Sequence, residues 1–133
     1  MKKSNATMLK EVGLWVLSVP VALAFIFFGG QMLAGSPQMA MGFQHFGYPV
    51  WLMYVVGAIE VTGAVLVVLP MFASYGAMVL SVVMLGAIVS HVSMGEYPAL
   101  WMPLIFLAAS AAIAWGRWQR RILPSFLHGR APA

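Results

Sequence analysis

The sequence predicts an all-α fold: an integral-membrane four-helix bundle with a short interfacial helix between its first two spans. Three observations carry that expectation. The 133-residue chain is 62% hydrophobic and 8% charged, with mean hydropathy +0.93, whereas soluble domains run near 25% charged. From Val12 to Gly116 only Glu60 and Glu96 are charged. The cations cluster outside that stretch, as Lys2, Lys3 and Lys10 before it and Arg117, Arg120, Arg121 and Arg130 after it. A hydrocarbon core of roughly 30 Å takes about 20 helical residues per crossing, so the uncharged stretch holds four crossings and their turns. Basic flanks at both ends are read as cytoplasmic by the positive-inside rule, which requires an even number of spans.

The first span is expected over about 12–34, after a basic N-terminus at 1–11. Its apolar run is longer than the 7–15 residues of a signal-peptide core, so it reads as a retained helix. Pro20 removes one helical hydrogen bond and predicts a bend, which neighbouring helices or water can tolerate in a membrane. The connection Gly35 to Pro49 carries no charge. Within it, Ser36-Pro37 is a helix start and Gly47 a stop. Met39, Phe43 and Phe46 recur at helical spacing, so a short helix over about 37–46 is expected at the outer interface. The second span is expected over 50–69, ending at Pro70. The third follows over 73–94 after a link short enough to force an antiparallel hairpin. The fourth occupies 99–116, and a basic cytoplasmic tail, 117–133, follows. Tyr48, Trp51, Tyr54, Tyr97 and Trp101 fit an outer aromatic belt, and Trp15, Tyr75, Trp115 and Trp118 an inner one.

Composition also excludes function classes. The positive charge is not interleaved with aromatics on a soluble surface, so no nucleic-acid partner is expected. Without cysteine the chain has no thiolate metal site and no dithiol redox chemistry of its own. There is no aspartate, no G-x-S-x-G and no glycine-rich phosphate loop, hence no self-contained catalytic constellation. Eleven methionines share the chain with three histidines, and soft thioethers with imidazole suit Cu(I). No Met-x-x-Met run exists, so the methionines read as core filling and no metal site is expected.

Glu60 stands out. It follows Trp51 by nine residues, about 13 Å along a helix, which places it near mid-bilayer. Gly57, Gly63 and Ala64 give its face small residues, so that face points at another helix rather than at lipid. No Lys or Arg in any span can pair with it, and a neutral acid is the expected form, able to donate a hydrogen bond or a proton. The bland reading is an interhelical hydrogen bond that only fixes packing. The functional reading is that an intramembrane acid marks a site. His91, about 27 Å along the third span, Gln31 at similar height on the first, and His45 in the outer connection are the polar groups expected at one end of the bundle. With Glu60, Gly57 and Gly63 they form the candidate ligand-binding set.

FIFFGGQML in the first span, FQHFGYP in the connection, VVGAIEVTGAVLVVLP in the second span and a third span ending near SHV together resemble the DoxX-like family (DoxX/DoxD type) of small bacterial membrane proteins. The resemblance covers about Leu14 to Trp118, and G-x-x-E-x-x-G, Gly57 to Gly63, is its most specific piece. It implies a four-helix protein of the bacterial plasma (inner) membrane, with the family's acid at Glu60 and its outer-loop histidine region at His45. It also implies links to membrane oxidoreductase complexes, including small subunits of thiosulfate–quinone oxidoreductases. Members often carry Lys where this chain has Gln31; losing that cation fits a neutral Glu60.

Three functions are therefore expected, in order. The first is a small subunit of a membrane redox complex, at most part of a quinone-linked oxidoreductase. It would bind a quinone or similar apolar ligand near Glu60 and take electrons from a partner membrane or peripheral protein. The second is a non-catalytic scaffold or assembly subunit. The third is small-solute or proton transport by a homo-oligomer.

Overall fold

A computed structural model describes residues 5–120. Lys2, Lys3 and most of the basic tail, 121–133, lie outside the described residues. Four long helices are apolar enough to cross a membrane: α1 (Asn5–Leu33), α3 (Val50–Val67), α4 (Ala73–Ser93) and α5 (Trp101–Gly116), the last entered through a 3-10 turn at Tyr97–Leu100. The short α2 (Pro37–His45) joins the first two. A further 3-10 turn, Trp118–Arg120, follows α5.

These segments are helical for membrane reasons. They are apolar on all sides, the pattern of a helix surrounded by protein on one face and lipid on the other. Outward side chains such as Leu23, Phe27, Val82, Val89 and Ile105 are exposed and apolar, so the bundle is lipid-facing. Only internal hydrogen bonding satisfies a backbone there. α1 remains an α-helix through Pro20. It begins at Asn5, ahead of the apolar span, so Lys10 and Glu11 stand on the helix itself.

α1 packs on α3, α3 on α4 and α4 on α5, and a smaller contact between α5 and α1 closes the ring. Both described chain ends lie at one end of the bundle, hereafter the terminal end; α2 and the α4–α5 turn lie at the other, the α2 end. Val21, Ala22 and Phe25 of α1 meet Ala64, Val67, Ala77, Leu80, Met84 and Ile113 in the core.

Glycine sets how closely the middle helices approach. A Cβ on Gly76 would fall 2.6 Å from the Gly63 carbonyl oxygen and 2.7 Å from Leu66 Cβ. One on Gly57 would fall 2.7 Å from Met32 Cβ and 2.9 Å from the Gly29 carbonyl oxygen. These contacts hold α1 to α3 and α3 to α4 backbone against backbone, as small residues do in membranes.

At the terminal end, Arg117 is buried, contrary to its place at the head of a solvated tail. Its Nη1 donates to Glu11 Oε2 at 3.0 Å, and its guanidinium lies 5.2 Å from the Trp15 ring centroid. The sequence reading treated this cation as a boundary marker. In the fold it ties the end of α5 to the start of α1.

Candidate functional site

The α2 end is built by three helix stops of one kind. At the end of α1 the Gly35 and Ser36 N–H groups bond back to the Met32 and Gln31 carbonyls. At the end of α2 those of Gly47 and Tyr48 bond to Gln44 and Phe43. At the end of α4 those of Gly95 and Glu96 bond to Val92 and His91. This is the Schellman arrangement, and the glycine in each has positive φ (74°, 81° and 69°). The first two bracket α2 and turn it across the bundle. The third folds Glu96 back over the end of α4.

Below α2 lies a cavity of about 600 Å³ with a largely apolar wall. At the terminal end α1 and α5 are in contact: a Cβ on Gly116 would lie 2.4 Å from Leu14 Cδ2. At mid-height Phe25 and Phe106 meet edge-on at 5.3 Å. Beyond those rings, Phe28 and Met32 of α1 and Met102 and Pro103 of α5 line the cavity. Met39, Phe43 and Phe46, the expected apolar face of α2, form its roof.

Glu60 projects from α3 into this space. The residue is 3% exposed, and its Oε2 has no hydrogen-bond partner among the described residues. A buried polar atom without a partner is costly, and each such atom calls for an explanation such as a catalytic role or a bound ligand. The other polar wall groups sit toward α2. Tyr48 Oη lies 2.7 Å from Ser90 Oγ. Ser90 Oγ donates to the Gly86 carbonyl at 2.8 Å, which leaves Tyr48 as the donor of the pair. His91 and Gln38 complete the set.

Of the residues singled out in the sequence, Glu60 and His91 share the cavity wall. His45 does not line it, but its Nε2 bonds the Glu96 carboxylate, which also accepts from His91 Nδ1 at 3.0 Å. Gln31 is not on the wall; its neighbour Met32 is. Gly57 and Gly63 flank Glu60 and serve the close helix contacts instead. Tyr48, Ser90, Gln38 and Glu96 were not anticipated. Glu96 offered a signal: it stands five residues after His91 and directly after a glycine that can reverse the chain. Among the described residues no group of three His, Cys, Asp or Glu side chains is arranged to hold a metal ion.

The two histidine bonds hold the Glu96 carboxyl below its ordinary value of 4.5. A lowered folded-state value means stabilisation that is full above the unfolded value and is lost as pH falls through the lowered one. Amide exchange over 37–45 is therefore expected to accelerate, beyond its intrinsic pH dependence, as pH drops below 4.5. Exchange in α2 that tracks the intrinsic rate throughout would contradict a role for Glu96 in docking that helix.

The fold and its buried acid define a multi-pass integral membrane protein, lipid-facing outside, with an apolar chamber under the short helix α2. The model of the DoxX-like family matches residues 16–113, and the chain belongs to that family. Comparison with curated proteins and with solved structures finds no match.

Proposed function

We propose that this protein is a small subunit of a membrane redox complex and holds a quinone, or a similarly flat apolar carbonyl compound, in the cavity beneath α2. The observation that carries the reading is Glu60: a buried carboxyl with one oxygen unpartnered among the described residues, at the wall of a chamber that is otherwise mostly apolar. Ligand sites of this kind pair a hydrophobic wall with a few placed polar groups. As a protonated acid, Glu60 donates a hydrogen bond to the ligand carbonyl, and Phe25, Phe28 and Phe106 offer ring surfaces to a flat molecule. The chain has no electron carrier of its own, so a partner membrane or peripheral protein supplies the electrons. The setting is the bacterial plasma membrane with both termini cytoplasmic, which places the cavity in the outer half.

The test uses purified protein in lipid nanodiscs and a short-chain ubiquinone. Leucine at position 60 removes the donor and is expected to weaken binding by about tenfold or more, the worth of one hydrogen bond to a buried partner. Glu60→Gln retains an N–H donor and is expected to keep much of the affinity while losing any proton transfer. Equal binding by the wild type and both variants would remove Glu60 from the site.

A further inference from the structure

Three titratable side chains stand in line at the α2 end. The glycine stop after α4 brings the Glu96 N–H to the His91 carbonyl at 2.9 Å, so the carboxylate lies over the helix end. One of its oxygens accepts from His91 Nδ1 and the other from His45 Nε2. The His45 side chain is 52% exposed, whereas that of His91 is 24% exposed and on the cavity wall. A single carboxylate thus joins a solvent-facing imidazole to a cavity-facing one.

The chemistry of that junction is directional. An ionised carboxylate only accepts hydrogen bonds, so the ring nitrogens that touch it must carry protons. The His91 proton is then on Nδ1, and in the neutral ring Nε2 is left as the acceptor. Holding one nitrogen by a hydrogen bond is how proteins set the tautomer of a histidine. Phe46 meets the His91 ring at 5.0 Å and 90°, fixing it from the α2 side. Glu96, held below the ordinary carboxyl value by these same bonds, is ionised at neutral pH.

We propose that Glu96 is a positioning residue: it presents His91 Nε2 to the cavity as a proton acceptor for an acidic hydroxyl, phenolic or enolic, on a bound ring. The inference rests on the reading of the cavity as a ligand site and adds a second polar station to it. Glu60 lies about 12 Å deeper along the bundle, so one ring does not reach both groups at once. The deep station donates to a carbonyl; the upper one accepts from a hydroxyl. In the transfer the ligand O–H bond breaks and an Nε2–H bond forms. The Nδ1 proton stays in its bond to the Glu96 carboxylate, whose charge faces the imidazolium that results. The ligand becomes its oxyanion beside that imidazolium, and no electron moves. Besides His91, the titratable groups on the wall are Tyr48, which donates to Ser90, and Glu60; α1 and α5 contribute none.

The probe is an alkyl hydroxyquinoline N-oxide, an enolic ring whose absorbance distinguishes hydroxyl from oxyanion, added to full-length protein in nanodiscs at a fixed neutral pH. Glu96→Gln is expected to lower by at least about twofold the share of bound probe carried as its oxyanion, because the carboxylate that fixes the His91 tautomer is gone. A merely structural role would lower affinity and leave that share unchanged. His91→Asn, which leaves Glu96 its bond to His45, is expected to abolish the oxyanion signal. An unchanged share in both variants, or a wild type that binds ubiquinone but not the probe, would overturn the proposal. Loss of the Glu60 effect on ubiquinone with the oxyanion signal intact would instead count against the deep station alone.

Discussion

Replacing Gly76 with valine is expected to destabilise the bundle by about 3 kcal/mol or more, the upper range for overpacking a filled interface. The atoms in the way are mostly backbone. Even a single added carbon would stand 2.6 Å from the Gly63 carbonyl oxygen and 3.0 Å from the Val67 nitrogen. A helix cannot move one carbonyl aside without moving the turn that carries it, so α3 and α4 must separate. Separation also frees Leu80 and Val67 from the core they share. The matched control is Gly30→Ala, where an added carbon meets nothing within 4 Å. That change is expected to be neutral or slightly stabilising, since alanine is the better helix former. Unfolding in mixed micelles with increasing dodecyl sulfate, followed by circular dichroism, compares the two. Similar midpoints for both variants would mean that the α3–α4 contact is looser than described.

The second large effect concerns Arg117 and Glu11, and it is asymmetric. The Arg117 side chain is 2% exposed and that of Glu11 is 23% exposed. Removing Glu11 strands a cation that cannot reach water, at a cost of about 3–5 kcal/mol for a broken buried pair. Removing Arg117 leaves a carboxylate with partial access to solvent, so Arg117→Met is expected to cost less than Glu11→Leu. The double variant, apolar on both sides, is expected to recover most of the loss of Glu11→Leu, because it no longer desolvates any charge. The same micelle titration measures all four proteins. A double variant no better than Glu11→Leu alone would show that the pair contributes through packing on Trp15 rather than through charge.

Much of this molecule was legible in the order of its residues. The four helices long enough to cross a membrane and α2 follow from the spacing of apolar runs, prolines and glycines, although α1 begins at Asn5, ahead of the expected span. Glu60 was legible because an acid inside a hydrocarbon-length segment has so few explanations. Gln31 was harder. Height along a helix can be counted from residue number, but each residue also turns by about 100°. Gln31 and Met32 share a level, and only Met32 faces the cavity. The Glu96 junction was hidden because it depends on α2 folding across the end of α4, which joins residues 51 positions apart. Arg117 misled for a related reason. A cation just past an apolar run is an ordinary boundary signal, and its partner stands 106 residues earlier.

That last separation bears on how the protein is made. A chain threaded into the bilayer from its first helix delivers Glu11 long before the ribosome reaches Arg117. The clasp at the terminal end can therefore close only after all four described crossings have been laid down. Closure of the ring at that end waits for α5, the last of the described crossings to be made.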